Sequence, residues 1–194
     1  MAESIKYVFN ETKAAEAASY LLTLSGGTMP YMKLLKLLYI ADRTYILNYH
    51  ASITTDFYYC LPKGPVATAI YDCIRNPEDY PSDSPWNSSI ATDKSNYSVI
   101  LKKPFIATWV STEELDVLNG VYDKYKDEDQ FSLSELTHSF PEWKDPEGSR
   151  IPLFIEDILD NTISDEEERK EAENDIRMSA WVSKMNMKNM RYLT

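Results

Sequence analysis

The strongest hydrophobic pattern in this chain lies in residues 31–49, YMKLLKLLYIADRTYILNY. Neither Gly nor Pro interrupts the segment, which is long enough for about five helical turns. At about 100° per residue most of its large apolar side chains share one face, but Leu37 and Ile40 project from other faces. A helix that is apolar almost all round is usually buried between several neighbours. The pattern therefore predicts a central buried helix, with Thr28 and Pro30 at its start.

One carboxylate interrupts the apolar stripe of this helix. Asp42 projects between the directions of Tyr31 and Leu35, so the helical wheel places it in the interior. A buried carboxylate must be paired or hydrogen-bonded. Asp42 is therefore either a structural residue that holds a nearby loop or basic side chain, or a catalytic acid. The structural interpretation is favoured, because no nucleophile or second acid accompanies Asp42 at helical spacing.

Three basic residues project from the opposite side of the helix. Lys36 and Arg43 lie together there and Lys33 lies nearby, so the wheel predicts a narrow basic strip at a solvent-exposed edge. Such a strip is suited to an acidic partner, although solvated charge is its more common meaning. Lys33, Lys36 and Arg43 are therefore candidate partner-binding residues.

The segments around this helix alternate between helical and extended patterns. Residues 11–24 are rich in Ala and Leu and predict a helix that packs closely on the central one. Residues 53–61 are β-branched and aromatic and predict a strand, and residues 66–75 predict a short helix. Residues 86–104 predict a β-hairpin with a polar DKSN turn. Together these segments predict one small antiparallel sheet, formed by residues 53–61 and 86–104.

The second half of the chain predicts helices separated by polar loops. Ser111 and Glu114 have the spacing of a capping box at a helix N-terminus. Residues 132–139 predict a shorter helix, and residues 151–159 predict a last small core element. Residues 76–85 are rich in proline and acidic side chains and predict a loop.

The C-terminal segment has a divided charge pattern. Residues 165–175 hold seven acidic and two basic side chains, whereas residues 177–191 hold four basic side chains and no acidic one. This polarity complements the dipole of a helix and predicts one long helix. Either the helix packs on its own domain, or Trp181 and Met185, with the methionines around them, dock a partner.

Composition favours a folded domain whose partners are proteins. Hydrophobic residues make up 43% of the 194 residues and charged residues 26%, which is typical of a folded, soluble protein. The net charge of −11 disfavours direct nucleic-acid binding, because phosphate backbones repel an acidic surface. An acidic protein is better matched to a protein partner with a basic surface.

The sequence also carries expectations about cellular location. Cys60 and Cys73 form no CxxC motif and are expected to be reduced, buried thiols. The N-terminus has no apolar signal core, and no apolar run approaches the length of a membrane span. We therefore expect a cytoplasmic protein without membrane contact.

Catalytic motifs are scarce in this sequence. It contains no GxSxG, HExxH, P-loop or GxGxxG motif. Glu135 and His138 form one Glu-x-x-His pair, but carboxylate-bridged metal sites need two such pairs and two further Glu. We therefore expect no metal and no cofactor, and expect His138 to satisfy a backbone or acidic partner near Trp143. An enzyme would require Asp42, His138 and Cys60 to converge in one cleft.

A Gly-Pro pair joins the predicted strand to the helix that follows it. Gly64-Pro65 leaves free backbone amides at the start of that helix, which could hold an external anion. The same amides could accept Asp42 or another internal carboxylate. The internal use is favoured, because an adjacent buried Asp needs donors.

Several of these segments follow one another in an order typical of one family. They are KAAEAASYLL at 13–22, a Gly-containing break, KLLKLLYIADR at 33–43, GPV at 64–66 and IYDCIR at 70–75. A weaker similarity includes LTHSFPEW at 136–143. The chain resembles the Panacea antitoxin domain of the SocA-like and GepA-like phage-associated proteins. The resemblance includes neither residues 76–85 nor the tail after residue 163.

The resemblance implies a bacterial or phage protein that neutralises a toxin encoded beside it by direct protein–protein contact. Members of the family pair with structurally unrelated toxins, and a SocA-like member instead delivers its toxin to a protease as an adaptor. Many relatives carry a DNA-binding segment, but this sequence contains no helix-turn-helix recognition helix. No catalytic residue comes with the family. The residues whose positions in the motif imply a structural role are Leu38, Asp42, Gly64, Pro65, His138 and Trp143.

The sequence thus predicts a mainly α-helical α+β protein, in which a buried central helix is wrapped by other helices and a small antiparallel sheet. We expect one globular domain over residues 1–163, followed by a C-terminal helix in residues 164–194. The predicted function is that of an antitoxin that binds a cognate protein toxin. The alternatives are a proteolytic adaptor or a phage–host interaction protein and, after these, an uncharacterised enzyme.

Overall fold

The computed structural model describes residues 4–190 and is mainly helical, as predicted. The α-helices within these residues are α1 (Glu11–Leu24), α2 (Tyr31–Tyr49), α3 (Thr68–Arg75), α4 (Pro85–Ser89), α5 (Thr112–Tyr125), α6 (Gln130–His138), α7 (Ile155–Thr162) and α8 (Glu166–Met190). The strands are β1 (Thr28–Pro30), β2 (Tyr58–Leu61), β3 (Gly64–Ala67), β4 (Ile90–Asp93), β5 (Ser98–Leu101) and β6 (Ile151–Leu153). The predicted α+β class is confirmed.

The predicted central helix is also confirmed. α2 contacts α1, α3, α5, α6 and α7, and it also contacts strands β1, β3 and β5. Every residue from Leu34 to Asp42 on it is buried, including Leu38, which is fully enclosed in the core. The helix begins at Tyr31 as predicted, but the predicted N-cap is wrong. Thr28 lies in β1, which pairs with β5, and Pro30 occupies the cap position without a side-chain hydrogen bond.

The described residues form two antiparallel sheets of three strands, so the prediction of one sheet is wrong in this detail. β2 pairs with β3 and β6, whereas the predicted hairpin, β4 and β5, pairs with β1. Ile53 and Thr54 do not extend β2, because their backbone N–H groups bind the carboxylate of Asp42 instead. Trp86 does not extend the hairpin, because Ser84 caps α4 at that point.

Side-chain caps set the helix boundaries in the second half of the chain. Ser111 and Glu114 form the predicted capping box of α5. Asp129 accepts hydrogen bonds from the backbone N–H groups of Phe131 and Ser132, so α6 begins two residues before the predicted position. The predicted core element at 151–159 consists of β6 followed by α7.

The predicted long C-terminal helix is α8. Ala172, Ile176 and Ala180 form its buried face, and the Tyr7 hydroxyl donates to Ser179 Oγ at 3.0 Å on the same side. The part of the predicted helix in residues 191–194 lies outside the described residues. None of the helices in the described part of the chain combines the length and the hydropathy needed to cross a lipid bilayer.

Candidate partner-binding surface

Asp42 is fully buried and accepts five hydrogen bonds from the segment that follows α2. Oδ1 accepts from Ser52 Oγ at 3.0 Å and from the backbone N–H groups of Ile53 and Thr54. Oδ2 accepts from the hydroxyls of Thr54 and, at 2.8 Å, of Tyr58. Burial, and after it the Asp42 charge, raises the pKa of the Tyr58 phenol well above its ordinary value. These contacts support the structural interpretation of Asp42.

A second buried carboxylate, Asp56, holds the start of α3. Its oxygens accept from the backbone N–H groups of Phe57 at 2.7 Å, Ala69 at 2.9 Å and Ile70 at 2.9 Å. Burial raises the pKa of the Asp56 carboxyl to about 7, while these N–H donors act in the opposite direction. The amides at the start of this helix are therefore used internally, as favoured from the sequence. The carboxylate that uses them is Asp56 and not Asp42.

The predicted exposure of Lys36 is wrong. Its side chain is 1% exposed, and Nζ donates to the backbone carbonyl of Pro65 at 2.8 Å. Burial lowers the pKa of the Lys36 ammonium to about 7. The helical wheel does not reveal this, because β3 and α6 cover the side of α2 on which Lys36 lies.

Gly64 lies where β3 passes close to Lys36. Its φ is +90°, which an L-residue with a side chain rarely adopts. A Cβ at this position would lie 2.5 Å from Thr137 Oγ1 and 2.7 Å from Lys36 Nζ, both closer than real Cβ atoms approach. Both the backbone conformation and the lack of space therefore require glycine. These contacts support an architectural role for Gly64-Pro65.

Arg43 is also directed inward, contrary to the predicted basic strip. Its Nε donates to Glu142 Oε1 at 2.6 Å and its Nη2 to Oε2 at 3.2 Å, which forms a bidentate ion pair. Glu142 is buried and accepts a further hydrogen bond from the Tyr39 hydroxyl at 2.8 Å. The guanidinium also lies over the Phe140 ring, 4.5 Å from its centroid. Arg43 thus attaches the segment after α6 to α2.

Lys33 has a similar internal role at the start of α2. Its Nζ donates to the backbone carbonyls of Lys126 at 2.6 Å and Glu128 at 2.7 Å, in the loop after α5. The wheel alone therefore misjudges these three cations, because long side chains reach the segments that surround the helix. They form no solvent-facing strip, and each one binds another part of the chain.

The candidate catalytic residues do not converge through any contact in the structure. Asp42 takes its donors from residues 52–58, whereas the His138 ring packs against Trp143 with 4.3 Å between ring centroids and 31° between ring planes. The buried Nε2 of His138 has no hydrogen-bond partner among the described residues, so the predicted backbone or acidic partner is wrong for this atom. Burial raises the pKa of the Cys60 thiol, which disfavours its nucleophilic thiolate.

The described chain offers no metal centre. Within residues 4–190 no group of three or more His, Cys, Asp or Glu side chains is arranged to hold a metal ion. Both cysteines, Cys60 and Cys73, are buried free thiols, and burial raises the pKa of Cys73 to about 12.

α8 carries an apolar face that points away from the domain. Met178, Trp181 and Val182 are 61%, 56% and 43% exposed, and Met185 is partly exposed. The four residues have the spacing i, i+3, i+4 and i+7, so they form one continuous stripe. This stripe, called here the outer face of α8, lies opposite the buried face of the same helix. Contiguous exposed apolar side chains of this kind mark interaction sites.

Charge is distributed unevenly around the outer face. Six acidic side chains lie between Glu166 and Asp175, in the N-terminal half of α8. Lys184 and Lys188 are exposed in its C-terminal half. A partner that covers the outer face would therefore meet acidic side chains at one end and basic side chains at the other.

The structure places the two candidate residues Trp181 and Met185 on this outer face. Met178 is one of the methionines grouped with Trp181 from the sequence, whereas Val182 was not among the candidates, although the same i, i+3, i+4, i+7 spacing connects both to Trp181. The sequence alone does not show which face of α8 is buried. The buried residues Ala172, Ile176 and Ala180 form a stripe as regular as that of the outer face.

A family model matches most of the central part of this chain. The family model described as antitoxin SocA-like, Panacea domain matches residues 34–144, which is more than half of the chain. No curated protein and no solved structure matches the chain. The matched residues include Asp42, Gly64 and the ion pair between Arg43 and Glu142, whereas α8 lies outside the match.

Proposed function

Because this chain belongs to the family of SocA-like antitoxins with a Panacea domain, we propose that it neutralises a protein toxin encoded beside it by direct binding. The family match over residues 34–144 carries this proposal. The net charge of −11 supports a toxin with a basic surface, because opposite charges steer two proteins together. The proposed location of the encounter is the cytoplasm.

The proposed toxin-binding surface is the outer face of α8. Trp181 supplies its largest apolar side chain, and Met178 and Met185 beside it are deformable enough to fit an irregular surface. Exposed tryptophans that become buried in a complex are frequent hot spots of binding. The acidic N-terminal half of α8 would extend the contact onto a basic part of the toxin.

Neutralisation by binding fits the interior of this protein better than catalysis does. The buried carboxylates Asp42 and Asp56 are occupied by donors of their own chain. The buried Arg43–Glu142 pair is likewise complete in itself. These groups hold the fold together, and none of them is free to act on a substrate in a cleft.

A proteolytic adaptor remains the second candidate, because the resemblance includes a SocA-like protein of that kind. An adaptor needs one surface for the toxin and another for the protease. Phe57 and Phe154 are exposed aromatic residues beside a cavity of about 390 Å³, away from the outer face of α8. This region would provide the second surface.

The test is co-expression of this chain with the protein encoded next to it, read out by growth and by co-purification. We expect the neighbour to be toxic alone, to be neutralised by this chain and to form a stable complex with it. A harmless neighbour that does not bind would contradict the proposal. Rescue without a stable complex, and only in cells that contain an intact protease, would instead establish the adaptor function.

Substitutions locate the surface in the same assay. Trp181→Ala together with Met185→Ala should abolish co-purification. Ile106→Ala is the matched control, because Ile106 is 74% exposed and lies on a different part of the molecule. Equal loss of binding in the control, or full binding by the double variant, would show that the outer face of α8 is not the toxin-binding surface.

A further inference from the structure

A cavity of about 390 Å³ lies between the start of α2, the β2–β3 turn and α3. Its volume falls in the range of small-molecule sites, about 300–1,000 Å³. Three cations, Lys36, Lys63 and Arg75, are among its lining residues, and no Asp or Glu is. This lining is unusual for a protein with 31 acidic and 20 basic residues.

None of these three cations has a carboxylate within ion-pair distance among the described residues. Lys36 Nζ donates to the Pro65 carbonyl, which leaves further hydrogens of a charged ammonium without an acceptor. Arg75 donates to the Tyr71 hydroxyl at 3.0 Å. Lys63 Nζ lies 5.9 Å from the centroid of the Phe131 ring. Donors therefore remain available around the cavity for an anionic ligand.

The remaining lining is aromatic and apolar. Tyr31 and Tyr71 line the cavity together with Arg75, whose guanidinium lies 5.6 Å from the centroid of the Tyr71 ring. Burial raises the pKa of the Tyr31 phenol, and Tyr71 adds to this effect whereas Arg75 opposes it. Leu35 and Val66 add apolar surface. Aromatic side chains of this kind stack on planar rings, and cations beside them bind phosphate. The cavity thus combines contacts for a charged group with contacts for a ring.

We propose that this cavity binds a small anion attached to a planar ring, in the manner of a nucleoside monophosphate, with Lys36, Lys63 and Arg75 around the anionic group and Tyr31 and Tyr71 beside the ring. The site differs from the outer face of α8 and does not depend on the proposed toxin binding. It also differs from nucleic-acid binding, because a cavity of about 390 Å³ takes one nucleotide and the acidic exterior repels a polymer.

Lys36 gives this proposal a distinctive signature. Because burial lowers its pKa to about 7, the Lys36 amine is mostly neutral at about pH 8. An anion bound beside it favours the charged ammonium, so binding should take up as much as about one proton from the buffer. A nucleotide that settled on exposed side chains alone would take up none.

The experiment is isothermal titration of the full chain with AMP, adenosine and inorganic phosphate at about pH 8, in two buffers that differ in ionisation enthalpy. We expect AMP to bind at least about tenfold more tightly than adenosine or phosphate, since each lacks one half of the contacts. The AMP enthalpy should depend on the buffer, with proton uptake. Undetectable binding of AMP, or equal binding of AMP and phosphate, would overturn the assignment.

Variants test which residues take part. Arg75→Gln and Lys63→Gln change exposed side chains and should each weaken AMP binding about tenfold. Lys124→Gln is the matched control, because Lys124 Nζ also lies over an aromatic ring, that of Tyr125, but outside the cavity. Lys36→Met should remove the proton uptake, and a melting curve confirms that it is folded. Proton uptake that persists in Lys36→Met, or equal loss in Lys124→Gln, would contradict the proposal.

Discussion

α2 and α8 each carry side chains that are unexpected in their sequence context, and the surroundings of these side chains in the structure differ. On α2 the charged residues Lys36, Asp42 and Arg43 occur in a helix that is apolar almost all round, and the chain itself supplies a partner for each. On α8 the apolar side chains of Trp181 and Val182 occur in a highly charged helix and remain exposed. The charged side chains of α2 find partners within the fold, whereas the apolar side chains of α8 stay exposed, and the proposed toxin would cover them.

The family match separates the same two regions. It covers residues 34–144, which contain the buried polar groups of α2 and the segments they hold, but it does not reach α8. A common interior and a separate outer surface agree with what the resemblance implies, namely that related antitoxins bind unrelated toxins. The difference between α2 and α8 therefore predicts that substitutions on α2 affect stability and substitutions on α8 affect binding.

The largest effect on stability is expected for Asp42→Leu. The substitution leaves five buried donors without an acceptor and should lower the free energy of unfolding by about 2–4 kcal/mol. Asp116→Leu is the control, because Asp116 is exposed on α5 and should change stability by less than about 0.5 kcal/mol. Urea unfolding monitored by circular dichroism measures both. Equal stabilities would mean that α2 does not hold its carboxylate as described.

A smaller loss is expected for Gly64→Ala. The variant forces an alanine into φ of +90° and its Cβ against Thr137 and Lys36, which should cost about 2–3 kcal/mol. Gly148→Ala has a similar φ of +85° but free space around the Cβ, so it reports the backbone strain alone, about 1 kcal/mol. If the two variants lose the same stability, the close approach of β3 to Lys36 is not significant.

The next effect concerns the pH dependence of stability. The folded pKa of Lys36 is about 7, below the ordinary 10.5, so the unfolded chain binds more protons between these values and the free energy of unfolding rises with pH there. From about pH 7 to about pH 8.5 the contribution of Lys36 should amount to roughly 1.5 kcal/mol. Lys36→Met should lack this contribution, whereas the opposing contribution of Asp56 is common to both proteins. Parallel pH profiles of wild type and variant, from urea unfolding, would exclude a buried Lys36.

Much of this structure could be predicted because its signals are local. The boundaries of α1 and α2, the buried position of Asp42 and the capping box of Ser111 and Glu114 follow from periodicity and from residues a few positions apart. The long C-terminal helix follows from its charge pattern. These features need no knowledge of which segments pack together.

The failures involve contacts between residues distant in sequence. Lys36 is buried by Gly64 and Thr137, and Arg43 binds Glu142 about a hundred residues away, so the wheel of α2 cannot distinguish either one from a solvated cation. The pairing of β2 with β6 could not be predicted for the same reason, because the two strands are distant in sequence. The donors of Asp42 are an exception among these contacts, because they are close to it in sequence. They belong to the hydroxyl-rich segment that begins at Ser52, directly after α2.

Trp181→Ala should have the smallest effect on stability. It is also the most direct test of the difference between α2 and α8. Because the side chain is 56% exposed, its removal should change the free energy of unfolding by less than about 0.5 kcal/mol. Its loss from a buried interface should weaken toxin binding by about 2 kcal/mol or more, a factor of roughly 30. The measurement is the Kd of the variant for the co-purifying toxin, beside its urea unfolding curve. A large loss of stability with unchanged Kd would contradict the account, because α8 would then be part of the interior.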